Sequence, residues 1–198
     1  MSTGCRIDNP AVLGYHIGMK EQQVKGTAIM PVEVYVRAQW GQQGWGRLLE
    51  GVSPETRKVL QGRIIQVSWY PQAVIAELYQ AVADNFAGGD ISYCRKVGRE
   101  AADYGLTFIH RLIFKFQSPS LLVGRGPELW SSYYQPSTVE VSEESPGTIV
   151  AAVKGLDTSP AHLHSIAGWM ERVAELIGGR EVRVTVDTAA MRFEIAYR

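Results

Sequence analysis

Residues 137–198 carry a pattern that admits one local architecture: two strands, a long amphipathic helix and two more strands. Val182, Val184 and Val186, then Met191, Phe193, Ile195 and Tyr197, alternate with Arg183, Thr185, Arg192 and Glu194, the period of two expected where a strand buries one face. These runs form one hairpin, joined across residues 187–190. Upstream, Val139 and Val141 alternate with Glu140 and Ser142, Ser145-Pro146-Gly147 supplies a turn, and Ile149, Val150 and Val153 make a second strand. Between the hairpins, Ser159-Pro160 opens a helix whose Leu163, Ile166, Trp169, Met170, Val173, Leu176 and Ile177 recur at steps of three and four, and Gly178-Gly179 stops it. Burying such side chains is worth about 1.5 to 3 kcal/mol each before chain entropy is subtracted. The helix is therefore expected across one face of an antiparallel sheet, with Arg183, Thr185, Arg192 and Glu194 on the other.

The preceding residues read as a helical lobe. Residues 1–28 show no sustained period and are taken as an N-terminal arm. Residues 29–198 are taken as a single α+β domain, with the helical lobe at 29–136 packed against a β-β-α-β-β sheet unit at 137–198. Residues 31–40 fit either a strand, through Val32, Val34 and Val36, or a short helix closed by Gly41, and the helix is preferred. Ser53-Pro54-Glu55 caps and opens a helix ending near Gly62; Pro71 opens another, with Val74, Ile75, Leu78, Val82 and Phe86 inward and Gly88-Gly89 after it. Asp90 caps the next, whose small inner face comprises Cys94, Val97, Ala101 and Tyr104, with Gly98 allowing close approach of a neighbour. Residues 106–116 are apolar nearly all round, as in a helix at the centre of a domain. Pro119, Gly124, Gly126 and Pro127 are expected to break the chain into short helical pieces carrying Leu121, Leu122, Leu129 and Trp130.

Composition excludes several function classes. The 198 residues contain 45% hydrophobic side chains but no apolar run long enough to span a bilayer. Lys plus Arg equals Asp plus Glu at 20 each, so neither nucleic acid nor an anionic membrane is expected as a partner. Cys5 and Cys94 give no disulfide framework and no metal spacing, which suits a reducing cytoplasm, and no signal peptide is visible.

Five short segments carry a family likeness: residues 48–57 (Leu-Leu-Glu-Gly-Val-Ser-Pro-Glu-Thr-Arg), Ser68-Trp69-Tyr70-Pro71, Val97-Gly98-Arg99, Pro127-Glu128-Leu129-Trp130, and Gly178-Gly179 before the last hairpin. In these the chain resembles an uncharacterised myxobacterial paralogous family, part of the superfamily of heme nitric-oxide-binding-like and four-vinyl-reductase-like domains. The resemblance implies a helical lobe on a four-stranded antiparallel sheet, a scaffold used for small-molecule sensing and often dimeric. It implies no known activity. Heme-binding members supply an iron-ligating histidine and a downstream Tyr-x-Ser-x-Arg clamp for the propionates. Here His110 lies on a suitable helix, but Tyr133-Tyr134-Gln135-Pro136-Ser137 has neither that spacing nor the arginine, so no heme or other cofactor is expected. Where some reductase-like relatives carry paired cysteines, this chain has Thr188, Ala189 and Met191.

No catalytic constellation stands out. His162 and His164 lie two apart, roughly 200° around a helix, which rules out the ligand pair formed four apart; they read as solvated residues at the helix start. Arg95, Lys96 and Arg99 form a basic edge, either solvated or paired with Glu100 and Asp103, and Gly124-Arg125-Gly126 reads as a loop. In the scaffold implied by the resemblance, the residues between the buried helix and the sheet would line a pocket, and His110, Phe114, Trp130, Tyr133 and Tyr134 are the candidate ligand-binding residues. The expected function is a non-enzymatic small-molecule-sensing or protein-interaction module in cytoplasmic signalling, working as a homodimer. The alternatives are an enzyme using His110, Cys94 or Arg111 in that pocket, or a structural assembly subunit.

Overall fold

The computed structural model describes residues 21–105 and 118–198. The fold is α+β, with helices ahead of a C-terminal antiparallel sheet of four strands. The candidate residues His110 and Phe114, and the apolar segment around them, lie outside the described residues, as does Cys5.

The sheet unit follows the sequence pattern closely. β4 (Thr138–Ser145), β5 (Thr148–Lys154), β6 (Arg183–Asp187) and β7 (Arg192–Ala196) form a sheet in the order β4-β5-β7-β6. Opposed pairs such as Ile149 with Ile195 and Val184 with Ile195 stack their side chains on the covered face, where Ile149 and Phe193 are fully buried. Arg183, Thr185, Arg192 and Glu194 face outward and are exposed. Met191 differs from expectation: with φ of 52° it belongs to the turn, which Asp187 stabilises by accepting from the amides of Ala189 and Ala190.

In the helical lobe, α1 (Gly26–Glu50) settles the ambiguity over residues 31–40 as helix, kinked at Gly41, whose φ of 68° a side chain would resist. α2 (Pro54–Gln61) starts on Ser53, whose hydroxyl accepts from the Thr56 amide. α3 (Gln72–Phe86) and α4 (Cys94–Gly105) follow, with a short 3-10 turn capped by Asp90 between them. The buried face of α4 is Cys94, Val97, Gly98 and Ala102, so the register of the expected face is wrong at one end: Tyr104 is exposed. α5 (Leu121–Ser131) runs through Pro127 as one helix rather than the expected short pieces. Its Gly126 lies against Val141 of β4, so the helix approaches the sheet closely there.

α6 (Pro160–Leu176) does cover the sheet, but its other side is occupied by α4. A Cβ built on Gly98 would fall on the Ser165 carbonyl, and one on Gly168 would fall on the Arg95 carbonyl. The two helices therefore meet backbone to backbone at a reciprocal pair of glycines. Beside this contact Arg99 makes a two-pronged bond to Glu175 at 3.0 and 2.8 Å, Arg172 makes another to Asp103 at 2.9 and 3.0 Å, and Arg95 donates to the Val184 carbonyl at 2.8 Å. Arg95 and Arg99 of the basic edge are thus directed at α6 and β6 rather than at Glu100 and Asp103, while Lys96 is exposed over the Tyr93 ring. Because these charges remain about a third exposed, they serve to orient the crossing more than to stabilise it.

The boundary expected at residue 28 falls inside the fold. β1 (Gln23–Lys25) is the middle strand of a second, three-stranded sheet, between β2 (Trp69–Pro71) and β3 (Tyr134–Gln135). Val24 is fully buried, so this short strand is part of the core.

Candidate functional site

A cavity of about 90 Å³ lies where the helical lobe meets the sheet unit. Thr27 and Ala28 at the start of α1, Ile75 and Tyr79 of α3, and Gly98 and Ala101 of α4 form one side. Val139, Val141 and Ala151 of the sheet form the floor, with Leu122, Leu129 and Trp130 of α5 beside them. His162, Ile166, Trp169 and Val173 of α6 close the remaining wall. No described lining residue is Asp, Glu, Lys or Arg.

Three of the five residues proposed from sequence, Trp130, Tyr133 and Tyr134, stand together on this wall. Trp130 donates from its indole nitrogen to Ser137 Oγ at 3.1 Å and packs on Tyr134 with ring centroids 4.6 Å apart. Tyr133 meets Trp169 edge to face at 5.7 Å. Trp169, expected in the buried stripe of α6, is only partly buried because it borders the cavity.

The residue that sequence reasoning misplaced is His162. It is 1% exposed, and its Nε2 lies 3.0 Å from the Tyr134 hydroxyl while Nδ1 lies 2.7 Å from Thr158 Oγ1. Tyr79 stacks on the ring at 5.3 Å. The position is set by the helix start: Ser159 Oγ accepts from the His162 amide and donates to the Ala76 carbonyl of α3, so the first turn of α6 is fastened beneath the helical lobe. Burial pushes the His162 pKa down to about 3, so the ring is neutral. A signal did exist, because His162, Ile166, Trp169 and Val173 share one helical stripe; what the sequence lacks is any mark that α3 covers its first turn. His164, on another face of the helix, is half-buried rather than fully solvated as expected.

Of the candidates for catalysis, His110 and Arg111 lie outside the described residues, and Cys94 is inert. Cys94 is fully buried, donates to the Tyr79 carbonyl at 3.3 Å, and burial holds its thiol up at about 12, the opposite of an activated nucleophile. Burial likewise raises Tyr79 and Tyr134, keeping both as neutral phenols. Among the described residues no cluster of His, Cys, Asp and Glu could hold a metal, and no helix is long and apolar enough to cross a membrane.

Comparison with known proteins reveals the fold. No family model and no curated protein matches the chain. Solved H-NOX structures do match. The Fe(II) unliganded H-NOX protein from K. algicida superposes with a TM-score of 0.65 at 14% identity, covering 88% of this chain and 96% of that one. An H-NOX protein from S. oneidensis in the Fe(II)NO state gives 0.62 at 19% identity, covering 88% and 98%. The chain therefore has an H-NOX-like fold across nearly its whole length.

The Fe(II) states of those structures raise the question of heme, and His110, the histidine on which iron ligation would turn, lies outside the described residues. His162, the histidine on the cavity wall, has both ring nitrogens engaged within the protein, leaving neither free to ligate iron. The described lining holds no cation that could meet a propionate.

Proposed function

We propose that this chain is a non-enzymatic sensing module that holds a small apolar ligand between its helical lobe and its sheet, in the manner of a heme-free branch of the fold such as the myxobacterial paralogous family it resembles. The observation that carries this reading is the cavity: it lies at the junction of both lobes, its described lining is uncharged, and the sheet residues on its floor are small or branched. A ligand there would touch α1, α3, α4, α5, α6 and the sheet at once, so its presence would bear on how the lobes sit together. The absence of an activated nucleophile or a titratable pair among the described residues favours sensing over catalysis.

Cyclopropane is a suitable probe, because the cavity of about 90 Å³ is roughly three-fifths of the ~150 Å³ that admits six-carbon benzene. Saturating cyclopropane should raise the thermal midpoint of the full chain through preferential binding to the folded state. Ala101→Leu, which places a larger side chain into the cavity from α4, should abolish the shift, and hemin added to the same protein should give no stoichiometric Soret band. An unchanged midpoint with cyclopropane, or a stoichiometric Soret band, would sink the reading.

We take the homodimer as the working form of the module. β4 and β6 are edge strands of the four-stranded sheet, and unpaired edges are readily covered by a second chain. Light scattering at micromolar concentration should return twice the chain mass of 21.9 kDa; a monomer mass would remove the dimer.

A further inference from the structure

The two edges of the four-stranded sheet are not equivalent. By charge alone β6 is the better match for a second copy of itself, because a two-fold centred on Thr185 would set Arg183 opposite the partner's Asp187. Its backbone, however, is already taken. The Val184 amide donates to Glu171 Oε1 at 3.3 Å and the Val184 carbonyl accepts from Arg95 at 2.8 Å, and Glu171 is itself held by Arg95 and Arg99. A further strand could reach these groups only by displacing side chains fixed between α4 and α6. β4 carries no such guard: among the described residues its backbone bonds to β5 and to nothing else.

A two-fold axis normal to the sheet joins two copies of β4 antiparallel and sets one residue opposite itself. The glutamates restrict where that axis can pass, since like charges directly opposite are unfavourable. A centre at Glu140, Glu143 or Glu144 places that carboxylate against its own copy, and a centre at Ser142 places Glu140 opposite the partner's Glu144. A centre at Val139 pairs only residues 138–140 of the strand, whereas one at Val141 pairs residues 138–144. In that register Glu140 stands opposite the partner's Ser142 and Glu144 opposite the partner's Thr138, a carboxylate facing a hydroxyl donor each time. Lys154 and Arg192 already reach Glu140 and Glu144 across the outer face, so both carboxylates arrive partly neutralised. Glu143 against the partner's Val139 is the unmatched pair.

We propose that the homodimer forms through β4, antiparallel to its copy about an axis at Val141, giving one continuous sheet through both subunits. This rests on the homodimer reading above and assigns its strand and register. Val139 and Val141 also floor the cavity, so ligand and partner bear on the same strand.

Sedimentation equilibrium on the full chain gives the dimer Kd, and Ser142, Ser145 and Thr185 are exposed, so they can be substituted without opening the core. Ser142→Glu sets like charges opposite each other on both sides of the axis and should raise Kd about tenfold; Ser142→Lys should lower it by a similar factor, a gain that shrinks at high salt. Ser145→Glu adds the same charge beyond the paired residues and should stay within about twofold. Thr185→Lys would put like charges on the axis of a β6 pairing and should also stay within about twofold. A dimer split by Thr185→Lys, or one that none of these substitutions changes, would overturn the assignment to β4 while leaving the dimer. Equal effects of Ser142→Glu and Ser145→Glu would overturn the register. A wild-type chain that stays monomeric would remove the homodimer itself.

Discussion

Gly98→Ala and Gly168→Ala are each expected to cost about 3 kcal/mol or more, the upper end of overpacking penalties. Each added methyl would have to occupy the space of a backbone carbonyl of the partner helix, and a carbonyl fixed in a helix cannot rotate away as a long side chain could. The only relief is to part α4 from α6, which would also lengthen the Arg99–Glu175 and Arg172–Asp103 bonds beside the crossing. The double variant should fall short of the sum, since one displacement of the helices accommodates both methyls. Urea unfolding midpoints are the measurement. Single variants within about 1 kcal/mol of the wild type would mean that the helices do not touch at these residues.

The second large effect is on acid stability. His162 has its pKa lowered by desolvation to about 3 in the folded chain, against about 6.5 when unfolded. The unfolded chain therefore binds a proton first as pH falls, so folding stability declines from about pH 6.5 down to about pH 3 and is constant with respect to this group below that. The total decline is on the order of 5 kcal/mol. His164 is lowered too, by desolvation and then by Arg95, but it is half-exposed and its share is screened. Glu175, partly desolvated yet held low by Arg99 and Arg172, loses its contribution in the same direction only at the acid end of the range. Comparison with His162→Gln isolates the buried ring. The variant should show a markedly flatter dependence between about pH 6 and about pH 4; parallel curves would mean that His162 is hydrated in the folded protein.

How much of this could be read from the sequence depends on whether the signal was local. The sheet unit was legible because alternation in residues 182–197 and the three-four spacing from Leu163 to Ile177 are properties of single elements. Capping at Ser53, Ser159 and Asp90 was legible for the same reason. The pairing of Gly98 with Gly168 was half legible: a small-residue face on α4 announced a close neighbour, but nothing in the sequence names which helix arrives there. Tyr104 was assigned inward because its spacing fits, although it lies exposed at the end of α4. His162 was assigned to solvent because Ser159-Pro160 marks a helix start, and helix starts are usually wet; the contact with α3 that buries it joins residues more than eighty positions apart. The aromatic wall of Trp130, Tyr133 and Tyr134 could be proposed, while the polar chain behind it, from Gln72 through Thr158 to His162, draws on residues that carry no motif.

β1 has a consequence for how the chain comes off the ribosome. Its neighbours in the small sheet are residues 69–71 and 134–135, and Gln23 and Gln135, joined side chain to side chain at 2.7 Å, stand 112 positions apart. At about 5 to 20 residues per second, on the order of ten seconds separates the synthesis of this strand from that of its second partner. For that interval Val24, destined to be fully buried, has one open strand edge beside it. The helical lobe can assemble in the meantime from contacts within residues 26–105, but the small sheet closes only after Tyr134 has emerged. Tyr134 is also the residue that meets His162 at the cavity, so the stretch that closes the small sheet brings the first aromatic residues of the cavity wall, which α6 completes only later.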